Sequence, residues 1–177
     1  QLTFPIRWWS WGPFWRYERP QKGRSREFFQ WNIDLIGAES PAADAEMIAI
    51  AGNFLKRAGI KSDVVSILVN NRKLMETELQ ELELYQAQFS NIFHLIDRLE
   101  KMEPIAWEKY AESLGLSPRQ IDGIKVILEN KKLWHKSAYL SKLFEIIEAL
   151  GVSEYVSYSP QIIRGLDYYT STVFEAW

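Results

Sequence analysis

Residues 7–37 read RWWSWGPFWRYERPQKGRSREFFQWNIDLIG, and the fold turns on how this stretch is taken. The first part, 7–18, is dense in aromatic side chains, which suit a pleated, half-buried strand. Gly12-Pro13 interrupts it and predicts a bulge or kink. RPQKGR (19–24) supplies Pro20 and Gly23 for a turn, since proline presets φ and glycine accepts a positive one. REFFQWNIDLIG (26–37) then alternates. Phe28, Gln30, Asn32 and Asp34 share one face, and Phe29, Trp31, Ile33 and Leu35 the other. The expectation is an antiparallel hairpin with an apolar face toward a core and a more polar face that forms a site. Trp8, Trp9, Trp11 and Trp15 are assigned to the sheet core rather than to base stacking.

The bend itself is basic. Four arginines and one lysine lie between Arg16 and Gln30. Residues 1–30 carry Arg7, Arg16, Arg19, Lys22, Arg24 and Arg26 against Glu18 and Glu27, a balance of +4. The whole chain is −2, so the remainder is −6. Cations crowded on one bend repel each other unless an anion sits among them, and arginine forks match phosphate oxygens two at a time. The pattern points to a local anion site on an acidic body rather than to a nucleic-acid-coating surface. A solvated basic turn is the plainer alternative, and Gln30 and Asp34 on the adjoining strand weigh against it. IIRGLDYYTST (162–172) is the second candidate, because an arginine beside two isoleucines is costly unless paired. An Arg164–Asp167 ion pair at a strand entry is its plainer reading.

Composition removes several other chemistries. The 177 residues include no cysteine and two histidines, His94 and His135, far apart in sequence. Disulfide frameworks and cysteine-rich zinc sites are excluded, and no metal site built from protein side chains is expected. His94, among Phe93, Leu95 and Ile96, reads as an ordinary helix residue. No apolar run approaches membrane-spanning length, so a soluble, cytoplasmic protein is expected.

Beyond the hairpin, Ser40-Pro41 opens a helix as N-cap and N1, running to about Gly59. DVVSILVN (63–70) reads as a buried strand, and NRKLMETELQELELY (71–85) as a helix capped by Asn70 or Asn71. From 86 to 133 strand-like runs disappear. Helices are predicted at 87–101, 104–114 and 118–130, with Ser117-Pro118 as another cap, and a further one at 137–150. A last strand is placed at roughly 167–176. The fold class is α+β: an antiparallel sheet with flanking helices and a helical insertion. The divisions are 1–85 (first part of the core), 86–133 (insertion) and 134–177 (second part of the core).

The segments also resemble a known family. PIRWWSWGPFWRYERPQKGRSREFFQWNIDLIG is similar to the motif 2 strand-loop-strand of class II aminoacyl-tRNA synthetases, and of histidyl-tRNA synthetases in particular. RGLDYYTSTVFEAW resembles that family's histidine-specific segment, with Ser171 where the family usually has glycine. SPAADAEMIAIA and ILVNNRKLM resemble its intervening stretches, in the same order.

The resemblance implies histidine activation by ATP, with accompanying Mg2+, and transfer to tRNA(His). It implies that Arg16 holds the α-phosphate and stabilises the transition state as the histidine carboxylate attacks, and that Glu18 lies near the adenine. Arg24 and Arg26 would reach the outer phosphates or the acceptor end of tRNA. Gln30 would meet the amino or carboxylate end of histidine, Asp34 its imidazole, and Tyr168 and Tyr169 the pocket wall. Arg164 would contact α-phosphate and carboxylate. The insertion would lean on the acceptor stem, and the parent protein would be a homodimer without membrane association. Motif 1 and motif 3 would lie outside residues 1–177, so this catalytic-core portion is not expected to charge tRNA alone. Two alternatives remain: a non-charging paralogue serving as a regulatory subunit of ATP phosphoribosyltransferase, and a stand-alone RNA-binding fragment.

Overall fold

The computed structural model describes residues 2–163 and 169–177. Its first feature is the hairpin. Strands β1 (Ile6–Trp15) and β2 (Glu27–Ile36) pair antiparallel along their whole length, from Ile6 opposite Ile36 to Trp15 opposite Glu27. Gly12 faces Gln30 and Pro13 faces Phe29 in uninterrupted register, so the expected bulge is absent. The bend closes on Lys22-Gly23, where Gln21 and Arg24 bridge and Gly23 takes φ +78°. A positive φ at the second central turn position is what makes glycine suitable there.

Helix α1 (Pro41–Arg57) follows, capped by the Ser40 hydroxyl, which accepts from the Ala43 amide at 3.1 Å. Then come β3 (Ile67–Asn71), α2 (Arg72–Glu81), α3 (Gln86–Asp97), α4 (Pro104–Ser113), α5 (Pro118–Glu129), α6 (Ala138–Ala149), β4 (Val156–Tyr158) and β5 (Thr172–Ala176). The second sheet has the order β4-β3-β5, with β3 parallel to β4 and antiparallel to β5. The architecture is thus α+β. Sequence reading missed β4, and it placed the start of the last strand before Thr172.

The core lies around β3 and the helices. Ile67 and Val69 are fully buried, and α1 lies against α6. Gly52 lets α1 lie close to Val152, just beyond α6, because a Cβ there would meet Val152 Cβ at 3.0 Å. Residues 86–133 hold α3, α4 and α5, whose buried side chains join those of α2, β3 and α6 in one hydrophobic cluster. Trp107 of α4 is 1% exposed, and its indole N–H donates to the Leu95 carbonyl at 2.8 Å. Gln120 of α5 donates to the Leu82 carbonyl at the end of α2.

The tryptophans of β1 are not in that core. Trp8, Trp9, Trp11 and Trp15 are 58–67% exposed, which corrects the assignment above. The physical reason is the partition of strands. Among the described residues β1 and β2 pair only with each other, and a two-stranded ribbon has no second layer to cover its faces. The apolar face of β2 is open over its first half: Phe29 and Trp31 are exposed, whereas Ile33, Leu35, Gln30 and Asn32 are half-buried. Helix α1 leans on this ribbon, through Trp31 against Phe54 (centroids 5.5 Å apart) and through Arg7, whose Nη2 donates to Glu46 at 2.7 Å.

Candidate active site

The hairpin geometry carries its basic residues past the last strand pair. The Arg16 amide donates to the Arg26 carbonyl at 2.9 Å, which extends the ladder one step into the bend. Beyond it the chain loops over an open cleft of about 370 Å³ lined by Arg16, Glu18, Arg24, Phe28 and Gln30. The Arg16 guanidinium rests on the Phe28 ring, 5.0 Å from its centroid. This contact fixes the planar group while leaving its N–H edge available. Glu18 sits between the arginines, 3.8 Å from Arg16 and 3.9 Å from Arg24. Two guanidinium groups against one carboxylate leave the cleft positive, suited to a polyanion with oxygens for bidentate pairing.

Four expected site residues therefore meet in one place: Arg16, Glu18, Arg24 and Gln30. Arg26 does not line the cleft. Its guanidinium stacks over Tyr17 at 4.9 Å and its Nε donates to the Glu18 carbonyl at 3.2 Å, so it braces the bend from outside. Asp34 lies further along β2, exposed and opposite Trp8. Tyr169 lines a different cleft, of about 360 Å³, with Arg72, Glu76, Gln86 and Ser90. Arg164 and Tyr168 fall outside the described residues. Among the described residues no group of three or more His, Cys, Asp or Glu could hold a metal ion.

A buried polar set was not anticipated. Asn70, Asn71, Arg72 and Glu78 are all at most 6% exposed. Lys136 donates to both oxygens of Glu78, at 2.8 and 2.9 Å, and this bonding holds the lysine pKa above its ordinary value. Tyr139 donates to Asp44 at 2.8 Å. Burial first, and that bond second, push its hydroxyl pKa up. Tyr158 is also raised, chiefly by burial and then by the charge of Glu78, and its hydroxyl has no hydrogen-bond partner among the described residues. The sequence signal is present in NNRKL, where four polar residues directly follow the apolar run ILV. From local sequence it signals only a helix start.

The histidyl-tRNA synthetase family model matches residues 1–177. The chain belongs to the histidyl-tRNA synthetase family. Among curated relatives, the chloroplastic/mitochondrial histidine–tRNA ligase of Arabidopsis thaliana is 33% identical over 99% of this chain and 38% of its own length. The histidine–tRNA ligase of Halobacterium salinarum is 34% identical over 99% of this chain and 43% of its own. The chain thus spans less than half the length of these relatives. The crystal structure of histidyl-tRNA synthetase from Nostoc sp. PCC 7120 superposes with a TM-score of 0.80 at 27% identity, covering 99% of this chain and 44% of that one. A structure from Bacillus halodurans C, titled an ATP phosphoribosyltransferase regulatory subunit/histidyl-tRNA synthetase, shares the fold with a TM-score of 0.77 at 22% identity, over 99% of this chain and 48% of that one. No helix among the described residues is long and apolar enough to cross a membrane.

Proposed function

We propose that this chain forms the ATP- and histidine-binding core of a histidine–tRNA ligase. The reaction is attack of the histidine carboxylate on the α-phosphorus of ATP, with release of pyrophosphate, followed by transfer of the histidyl group to tRNA(His). The observation that carries this reading is the cleft in which Arg16, Glu18, Arg24 and Gln30 converge. Phosphoryl chemistry of this kind needs positioning and charge stabilisation more than a protein nucleophile. Arg16, held flat on Phe28, is suited to the α-phosphate and to the charge that builds on it. Arg24 takes the outer phosphates, and Arg26, stacked outside the cleft, is assigned to them or to the acceptor end of tRNA. Gln30 and Asp34 on β2, with Tyr168, Tyr169 and Arg164, would hold histidine. Polar partners discriminate an imidazole from an apolar side chain better than a hydrophobic slot does.

Residues 86–133 are assigned to the acceptor stem. The complete reaction, the homodimer and the cytoplasmic setting are proposed for the protein as a whole.

Calorimetric titration with magnesium ATP tests the reading. Binding that weakens by at least about tenfold in Arg16→Ala, the effect of losing one charge-assisted contact to phosphate, supports it. Equal affinity in both proteins overturns it. Tight uptake of another small metabolite with no response to ATP would favour the regulatory-subunit alternative, whose fold is shared.

A further inference from the structure

Between α5 and α6 the chain gathers three rings. The His135 imidazole lies on the Trp134 indole, with centroids 3.7 Å apart and planes 26° from parallel. The same indole meets the Phe144 ring of α6 at 4.6 Å. Trp134 is half-buried and His135 is exposed, so the cluster ends in a flat ring that faces water.

The turn that carries these rings is fixed. Leu133 is 2% exposed and anchors it in the core, and Lys136 donates to Glu78 of α2. Asn130 Oδ1 accepts from the Lys132 amide at 3.0 Å, and the His135 amide donates to the Lys132 carbonyl at 3.1 Å. That last bond closes a 3-10 turn, in which side chains three positions apart eclipse. Lys132 and His135 therefore stand on one side of it.

The charge at this turn is unanswered. Lys131 and Lys132 are exposed and join no ion pair among the described residues. On the helices before them, by contrast, Lys101 pairs with Asp97, Lys125 with Glu108, and Arg98 lies over Tyr110. Free ammonium groups beside an open flat ring match what a nucleic-acid strand offers, a base with a π-face and phosphates on either side of it. An acidic peptide would use the lysines and leave the ring idle. An apolar partner would cover the ring and leave the lysines unpaired.

We propose that His135, Lys131 and Lys132 form a platform for an unpaired end of RNA. A base stacks on the imidazole, and the phosphates beside it meet the ammonium groups. Stacking of this kind tolerates any base, so the platform holds the strand without reading it. It stands at the close of the stretch assigned to the acceptor stem and takes its RNA from that reading. The surface itself is independent of the Arg16 cleft, whose lining shares none of these residues.

The chain has two histidines, so their ring Cε1–H signals can be followed singly by nuclear magnetic resonance. The probe is an RNA hairpin with a short single-stranded 3′ end, added to the full chain at constant pH, with His135→Gln used to assign the signals. The His135 signal is expected to move upfield and saturate, because the ring current of a stacked base shields it. The signal of His94 on α3 is expected to stay in place. Binding of the same RNA is also compared between the unmodified chain and the Lys131→Gln, Lys132→Gln double variant, from about 50 to 200 mM salt. The slope of log affinity against log salt is expected to become shallower by about 1.4 to 1.8, as for two lost phosphate contacts.

RNA binding that leaves the His135 signal unmoved overturns the platform, and so does an unchanged salt slope. Absence of RNA binding to the full chain overturns it as well. None of these results bears on ATP in the Arg16 cleft. Failure of ATP to bind would sink the functional reading, and the platform would then be judged on RNA alone.

Discussion

Glu18 stands between Arg16 and Arg24, with one carboxylate oxygen 3.8 Å from Nη1 of the first and the other 3.9 Å from Nη1 of the second. At these distances the attraction is coulombic rather than hydrogen-bonded. All three side chains are more than a third exposed or close to it, so each pair contributes only about 0–1 kcal/mol to stability. Glu18 then acts mainly as a weak internal counter-ion that an incoming polyphosphate outcompetes. Glu18→Gln is expected to leave the melting temperature within about 3 °C. It is also expected to tighten binding of inorganic tripolyphosphate by about twofold to fivefold, most clearly at low salt. Titration of both proteins with tripolyphosphate checks this, and weaker binding by the variant would contradict it.

The hydroxyl of Tyr158 is buried without a partner among the described residues. An unsatisfied polar group in the interior costs free energy that a ring without it does not. Tyr158→Phe is therefore expected to raise stability by about 1 kcal/mol, read from the urea midpoint at unchanged slope. A loss of stability would show that the hydroxyl is held by something that stabilises the folded state.

Three groups of the buried polar set help to set the alkaline limit. Tyr139 and Tyr158 have hydroxyls held above the ordinary 10.0 by burial, and Lys136 is held above 10.5 by its bond to Glu78. Each keeps its proton in the folded state at a pH where the unfolded chain has released it. The unfolded state binds fewer protons there, so stability falls as pH rises. The contribution is whole below about pH 10, where both states are protonated, and is lost progressively above it. Melting temperatures between pH 8 and 11.5 should stay level and then decline from about pH 10. Tyrosinate absorbance from these two residues should appear only with unfolding. A decline that begins near neutrality would contradict the assignment.

Lys136 is half-exposed while its partner Glu78 is buried. Lys136→Met leaves that carboxylate without its main cation. The expected cost is about 1–3 kcal/mol at neutral pH, less than for a fully buried pair because water reaches the lysine side. Urea unfolding at pH 7 measures it, and the difference from the unmodified chain should shrink as pH passes through the lysine pKa. A variant as stable as the parent at pH 7 would contradict this account.

Trp107 tests whether residues 86–133 unfold with the rest. The hydrophobic cluster around it is continuous with α2 and α6. Trp107→Ala is expected to destabilise the whole chain by about 3–5 kcal/mol in a single cooperative transition. Two separate transitions would show instead that the helical stretch has an independent core.

What the sequence disclosed follows from how local each feature is. Ser40 and Ser117 before prolines, and Asn71 before a helical run, are signals complete within four residues, and each caps a helix as expected. The hairpin followed from alternation and a turn, which set the basic bend beside Gln30, whereas the grouping of Arg16, Glu18, Arg24 and Gln30 into one site came from the family resemblance. Strand β4 escaped because it is three residues long and gains its partner, β3, from nearly ninety positions away. Exposure of Trp8 through Trp15 also could not be read locally. An aromatic strand looks the same whether or not a second layer covers it. The contacts of Asn70 and Arg72 with Pro160, Ser171 and Phe93 join residues remote in sequence, so only the fold brings them into view.

The central claim is that the basic bend is built to hold the phosphates of ATP. It is tested most directly by following the arginine side-chain Nε–H signals in nuclear magnetic resonance while magnesium ATP is added. The account predicts that the signals of Arg16 and Arg24 shift together and saturate at one ATP concentration, while that of Arg98 on the helical stretch stays in place. Saturable ATP binding that leaves Arg16 and Arg24 unmoved would contradict it.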